Sequence, residues 1–315
     1  MENNIYGILG IGVRNALWNA DFNNEPKTDG NDIIKGSSYA LKYCIKKQWN
    51  SLNQRVFGLK TFKTNGECNQ ITERFYNLFG EEDVKLPKKP TEKEKEEAIS
   101  TVFNNLITCK DVLNFGVAYT GNNTLSLQGV VQISDGINLY PYTIVNHENI
   151  LSSFATTEGN KMSTIGDKCT VNEAHYIYDF SIFPKEYDKY ISDEFEGYKR
   201  EDYEDFKKQS LIAVSNYNSN AKKGCKNEFA IFIETKEETN YQLDLNCLQQ
   251  YIKIDKNKVN NNVIYDLTKL FKLLDGLTDK IKSIELFYNP RTVEIKGVKK
   301  NGIIKIYDLI TKEEL

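Results

Sequence analysis

Asn4-Ile-Tyr-Gly-Ile-Leu-Gly-Ile-Gly-Val13 is the stretch on which the fold turns. Its odd positions Ile5, Leu9, Ile11 and Val13 are apolar with Gly7 among them, while Gly10 and Gly12 fall on the opposite face. Such alternation predicts a β-strand with one face left bare. Glycine inside a strand marks close approach by another backbone or a ligand, so the strand is expected to form a floor on which something lies. After it, Asn15 to Asp32 reads as a polar loop, and Lys35 to Trp49 as a helix with Leu41, Ile45 and Trp49 at helical spacing.

Residues 51–110 read as an insertion, with a Lys/Glu/Pro linker from Lys85 to Glu97 and an amphipathic helix over 92–107. Strands are expected at Val112–Tyr119 and Leu125–Ser134, separated by a Thr-Gly-Asn-Asn turn. Residues 150–170 hold too few apolar side chains to bury and read as a projecting loop. His175–Phe183 reads as a strand, 201–214 as a helix and Phe229–Ile233 as a buried strand. A helix is expected over 263–274, with Ile264, Leu267, Leu270, Phe271 and Leu274 on one face, and a hairpin turning at Lys300-Asn301-Gly302 closes the chain. The order of elements predicts an α+β fold, specifically an elaborated RRM-like (ferredoxin-like) βαββαβ core in one domain over 1–315.

Composition narrows the function. Forty percent hydrophobic and 12% aromatic residues in 315 describe a folded globule, and 41 cations against 44 anions exclude a uniformly basic nucleic-acid glove. The charge is uneven, however: residues 1–63 carry nine cations and five anions, 280–305 seven and two, and 186–208 five and nine. Only five arginines are present, which argues against bidentate reading of many base edges. Six cysteines, no two closer than 22 residues, form no CxxC pair, and free cytosolic thiols are expected. The start of the chain lacks a signal peptide and no run approaches a membrane span, so a cytoplasmic protein with no membrane partner is expected.

Catalytic motifs are lacking. Gly7-Ile-Leu-Gly10-Ile-Gly12 would need glycine at 15 to complete a dinucleotide fingerprint, and that residue is Asn15. Two histidines, His147 and His175, make a histidine metal site or triad an unexpected outcome, so no catalytic residue, metal or cofactor is expected. Asp21 and Asp29 could hold Mg²⁺, although Asx residues in such loops are ordinarily turn formers. Lys35, Lys42 and Lys46 follow the glycine strand, and Ser37 and Ser38 sit at a helix start suited to anions.

Three sets of residues carry a resemblance to a known family. The first is Tyr6-Gly-Ile-Leu-Gly-Ile-Gly12, Asn15-Ala-Leu-Trp-Asn-Ala-Asp-Phe22, Pro26-Lys-Thr-Asp-Gly30 and Lys35-Gly-Ser-Ser-Tyr-Ala-Leu-Lys42. The second is Leu127-Gln-Gly-Val-Val-Gln-Ile133, Ser163-Thr-Ile-Gly-Asp-Lys168 and Val171-Asn-Glu-Ala-His-Tyr176, and the third Asn218 to Phe229. In this order they resemble the type I-B CRISPR Cascade backbone subunit, the Cas-seven family. The resemblance implies an RRM-like palm, a helical finger insertion at about 51–110 and a thumb at about 140–175. It also implies a non-enzymatic, multi-copy subunit that grips CRISPR RNA without reading its sequence and presents it to a target DNA strand, beside further copies and other Cascade subunits. Transferred residue by residue, it implies guide contacts at Arg14, Asn15, Trp18, Asn19 and Lys27, and at Lys35, Ser37, Ser38 and Lys42. The thumb adds Lys161, Met162, Ser163, Thr164 and Lys168, with Met162 as a wedge between bases. The loop 218–224 adds Asn218, Ser219, Asn220, Lys222 and Lys223, although Asn220-Ala221 stands where arginine and serine are frequent in relatives. Two alternatives stay open: a metal-dependent endoribonuclease of the type III backbone kind using Asp21, and a single-strand-binding module without a guide.

Overall fold

A computed structural model of the protein describes residues 1–80, 85–151 and 165–315. Its centre is β1 (Ile5–Ala16), antiparallel both to β8 (Ile165–Ile182) and to β9 (Cys225–Thr235). Beyond β9 the sheet continues through β12 (Ile281–Tyr288) to β14 (Ile304–Asp308). Beyond β8 lie β6 (Gly136–Asn138) and the two-residue β2 (Lys35–Gly36), with β5 (Val131–Ile133) and β7 (Val145–Leu151) also pairing with β8.

Two cores sandwich this sheet. One face of β1, with Ile5, Leu9, Ile11 and Val13, packs on α1 (Ser38–Ser51) through Leu41, Cys44, Ile45 and Trp49, and on α5 (Arg200–Ser210) through Tyr203 and Phe206. The 51–110 segment joins the same core: α2 (Ile71–Phe79) contributes Phe75, and α3 (Glu92–Ile107) contributes Val102 and Leu106. The opposite face, with Tyr6 and Ile8, is covered by residues 240–300. There β10 (Lys253–Lys256), β11 (Val263–Asp266) and β13 (Val293–Lys296) form a small second sheet, and α7 (Thr268–Asp275) buries Leu270, Phe271 and Leu274.

The glycine face is therefore not bare. Gly7 lies where a Cβ would overlap the Ile231 carbonyl oxygen and the Phe180 ring, and a Cβ on Gly10 would sit 3.0 Å from the Phe229 side chain. At Gly12 the neighbour is the Glu228 carboxylate, 2.7 Å from such a Cβ. The glycines admit side chains of this same chain on both faces: Phe180 over Gly7 on the Ile5 face, and Phe229 and Glu228 over Gly10 and Gly12 on the opposite one. A register shift between Gly10 and Ile11 against β9 leaves Glu228 unpaired as a bulge residue and turns its side chain to the face shared with Phe229.

Other expectations need correction at element ends. Val112 to Phe115 belongs to α4 (Lys110–Phe115), so the hairpin is β3 (Gly116–Thr120) with β4 (Thr124–Gln128); its Thr-Gly-Asn-Asn turn lies where expected. Gly116, at φ 75°, ends the helix in a conformation a β-branched residue resists. Ile264 sits on β11, and helix begins only at Thr268. A four-residue strand of Val-Ile-Tyr-Asp followed by a short helix mimics helical spacing over a window of this size. No terminal hairpin forms: β14 runs parallel to β12, and 300–302 connects β13 to β14. A short helix, α6 (Ala213–Asn216), follows α5 where one continuous helix was expected.

Candidate nucleic-acid interface

At the end of β1 the chain leaves the core: Val13 is buried, while Arg14 and Asn15 are exposed, Asn15 with φ 48°. The first loop then makes two successive turns of one design. Asp21 Oδ1 accepts the amide protons of Asn23 and Glu25 at 2.8 and 3.0 Å, and Asp29 Oδ1 accepts those of Asn31 and Ile33 at 2.8 and 3.0 Å. Asn24 (φ 63°) and Asp32 (φ 59°) take the left-handed position in each. Short Asx side chains tolerate that region and cap the turn, which is the ordinary role of such residues.

The loop 218–224 lies against this strand end. The Arg14 amide donates to the Gly224 carbonyl at 2.9 Å, and the Leu17 amide to Ala221 at 3.2 Å. A Cβ on Gly224 would overlap the Arg14 carbonyl oxygen, so glycine is what permits the approach. On the other side Ala16 pairs with Val171 of β8, where the β7–β8 hairpin departs from the sheet. Three separated segments thus meet around the exposed Arg14 and Asn15.

Among the expected guide contacts, several side chains are occupied within the protein. Trp18 is 0% exposed and its indole N–H donates to the Tyr178 hydroxyl at 2.5 Å, so it is core and offers no surface to RNA. Lys222 donates to the Leu17 (2.8 Å) and Trp18 carbonyls and lies over the Trp18 ring, with burial lowering its pKa. Its role is to clamp the strand end. Ser37 is the buried N-cap of α1, accepting from the Ala40 amide, and Asn19 Oδ1 accepts from the Ser37 amide at 2.7 Å.

The anion at the start of α1 is a protein carboxylate. Asp135 accepts from the Ser38 amide at 2.9 Å and pairs with Lys35 at 3.2 Å. Burial opposes its ionisation, but these two hydrogen bonds outweigh it and hold the carboxyl below its usual range. Lys42 is half-buried over the Phe115 ring, its pKa lowered by burial and by Lys46. Exposed side chains remain at Asn15, Lys168, Asn218, Asn220 and Lys223, with Arg14 beside them, while Asn19, Lys27 and Ser219 are partly exposed. Lys161, Met162, Ser163 and Thr164 lie outside the described residues.

Behind Arg14 runs a buried polar chain. Its guanidinium pairs with Glu173 at 2.9 Å; Glu173 also accepts from Lys256 at 2.6 Å and faces His175 Nε2 at 3.5 Å. His175 Nδ1 lies 2.5 Å from the Glu228 carboxylate, to which the Tyr265 hydroxyl donates at 3.0 Å. Burial would lower the His175 pKa, but the charge and hydrogen bond of Glu228 and the nearby Glu173 carboxylate raise it. For Glu228 burial works the other way, yet the charge and hydrogen bond of His175 hold it down to about 2. The carboxylates on either side thus favour the protonated imidazole, and the chain of contacts anchors Arg14 to the bulge of β9.

Sequence reasoning did not single out Phe22, which stands fully exposed in the first loop. The available signal was an aromatic residue isolated among Asp21, Asn23 and Asn24, where nothing nearby could bury it. The buried Glu228 and His175 were also missed, because only the bulge brings them together.

Similarity to known proteins agrees with this geometry. Chain folds from two solved assemblies superpose on it. One is titled "CRISPR RNA-guided surveillance complex", with TM-score 0.51 and 10% identity over 97% of this chain and 94% of that one. The other is titled "CRISPR RNA-guided surveillance complex, pre-nicking", with TM-score 0.50 and 13% identity over 97% and 96%. At such identities the likeness establishes a shared fold. Comparison with curated protein sequences returns no match. The family described as CRISPR-associated protein Cas7 matches residues 3–270, most of the length, and the chain belongs to that family.

Proposed function

We propose that the protein is a multi-copy backbone subunit of a type I CRISPR surveillance complex. It holds CRISPR RNA by its sugar-phosphate backbone without sequence specificity and presents it to the target DNA strand, in contact with further copies of itself and other subunits. The observation that carries this reading is the meeting, in a Cas7-family chain, of the β1 end, the first loop and the 218–224 loop around the exposed Arg14 and Asn15. Scarce arginine fits a protein that leaves sequence to base pairing.

Finer features belong to the same reading. The strand order β9-β1-β8-β6, with β1 antiparallel to both neighbours and α1 and α5 on one face, supports an RRM-like palm. The helices α2 and α3 serve as the finger, and the β7–β8 hairpin as the base of the thumb. The anchors at Ser163–Lys168 and Asn218–Phe229 support placement in the type I-B subgroup. No helix among the described residues is long and apolar enough to cross a membrane, in keeping with a cytoplasmic complex. The protein acts without cleaving RNA: Asp21, the aspartate a nuclease would use, spends its Oδ1 capping a turn.

Co-purification with the products of neighbouring genes, followed by a denaturing gel of the extracted nucleic acid, tests the function. Discrete short RNA is expected, with affinity falling steeply as salt rises. A preparation that never carries such RNA overturns the reading. Guide-loaded protein given complementary labelled RNA and Mg²⁺ should leave it intact, and regular cleavage lost in Asp21→Ala would establish the nuclease instead.

A further inference from the structure

We propose that Glu25, His147 and Cys169 form a binding site for a zinc-class divalent ion that ties the first loop to the β7–β8 hairpin. His147 and Cys169 are directly opposite each other in the antiparallel β7–β8 ladder, so their side chains leave the same face as nearest cross-strand neighbours. Glu25 reaches them from the first loop, presented by the turn that Asp21 caps. Its Oε1 lies 3.6 Å from His147 Nδ1 and its Oε2 3.5 Å from Cys169 Sγ, and the ligand atoms of all three residues lie within 4.8 Å of one another.

Those spacings suit a tetrahedral ion. Bonds of about 2.0–2.3 Å from zinc to N, O and S imply ligand-to-ligand edges of roughly 3.3–3.8 Å. The Glu25 carboxylate already lies at that distance from each of the other two, through Oε1 to His147 and Oε2 to Cys169, and with one ligand atom per residue all three lie within 4.8 Å, so a small closure completes the set. One thiolate, one imidazole and one carboxylate is a donor set for zinc and its neighbours in the transition series, and a poor one for Mg²⁺ or Ca²⁺. Water completes the fourth position, since His147 and Glu25 are both substantially exposed. Among the described residues no lysine or arginine pairs with Glu25, so its charge is not otherwise neutralised there.

The position explains what such an ion would do. β8 pairs with β1 only as far as Val171, and beyond it the β7–β8 hairpin continues as two strands alone. A two-stranded hairpin is marginal by itself in water. An ion held by both its strands and by Glu25 would fix its angle to the strand end that carries Arg14 and Asn15. The sequence concealed the site because its three ligands are 122 and 22 residues apart and match no ligand spacing.

Titration of the purified full-length protein with Co²⁺, the spectroscopic substitute for zinc, tests the proposal. A thiolate-to-cobalt charge-transfer band should grow in and saturate at one ion per chain. Cys169→Ser should abolish it, whereas Cys68→Ser and Cys247→Ser, at the exposed cysteines, should leave it unchanged. His147→Ala and Glu25→Gln should each weaken binding at least about tenfold, since even outer-shell changes cost about 10–100-fold. Zinc should raise the thermal midpoint of the wild type and not that of Glu25→Gln, an exposed substitution that folds even if Cys169→Ser does not. Absence of the band in the wild type, its persistence in Cys169→Ser, or an unchanged Co²⁺ affinity in Glu25→Gln overturns the site.

Discussion

Along β1 the strand interior and its last residues are built on opposite terms. From Ile5 to Val13 both faces are buried, and the three glycines are small because Phe180, Phe229 and Glu228 occupy the space. At Arg14 and Asn15 the side chains are exposed, the backbone visits the left-handed region at Asn15, and two foreign segments close in without covering them. The difference teaches that the glycines serve packing, and that the proposed RNA surface begins where they end. The buried Glu228–His175–Glu173 chain joins the two regions, since it starts at Gly12 and finishes on Arg14.

Breaking that junction should have the largest effect. Glu228→Ala leaves the buried His175 with one carboxylate partner fewer, and removal of one member of a buried charge pair costs about 3–5 kcal/mol, to be read by chemical denaturation. A loss below about 1 kcal/mol would mean that the network is not what holds the bulge. The same groups set a pH profile. Glu228 is held below its ordinary 4.5, so its contribution is complete above that value and disappears as pH falls toward about 2. His175 is raised above 6.5, so its contribution is complete below that value and is lost as pH rises through its folded-state pKa. Maximum stability should therefore lie between about 4.5 and 6.5 in so far as this network decides it, and in Glu228→Gln the acid limb should flatten.

Substituting the interior glycine comes next. Gly7→Ala drives a methyl group into Ile231 and Phe180, and overpacking of this kind costs about 1–3 kcal/mol. RNA retention by the folded fraction should be unchanged; a variant of normal stability that loses its RNA would return the glycine face to the interface. On the exposed side, Phe22→Ala should alter stability by less than about 0.5 kcal/mol. Its RNA affinity should fall if the ring stacks on a base, by about 1–3 kcal/mol in fluorescence-anisotropy titrations. The smallest change is expected for Lys223→Ala: an unaltered thermal midpoint and a log–log salt slope shallower by about 1. If Lys222→Ala behaves like Lys223→Ala and stays equally stable, the structural clamp assigned to Lys222 is wrong.

Legibility followed the range of the interactions involved. The amphipathic helix over 92–107 coincides with α3, capped by Thr91 and Glu94, because both its apolar stripe and its capping box are local signals. The Thr-Gly-Asn-Asn hairpin and the Asx character of Asp21 and Asp29 were legible for the same reason. Trp18 and Lys222, expected as guide contacts, are occupied inside the protein, and their neighbours in sequence give no hint of the Tyr178 hydroxyl that Trp18 meets or of the packing that turns Lys222 onto the carbonyls of Leu17 and Trp18.

By itself the sequence determined what depends on a few adjacent residues: a glycine-bearing central strand, the first helix, the turn chemistry of the first loop and a family pattern spread along the chain. Only the tertiary structure decided what those parts face. Which side of β1 is covered depends on residues 240–300, more than two hundred positions away, and Glu228 reaches His175 only through a bulge that alters the register by one residue. Charge pairing across such distances leaves no periodicity in the chain, so a near-neutral total of −3 revealed neither the buried His175–Glu228 pair nor the cluster at Glu25.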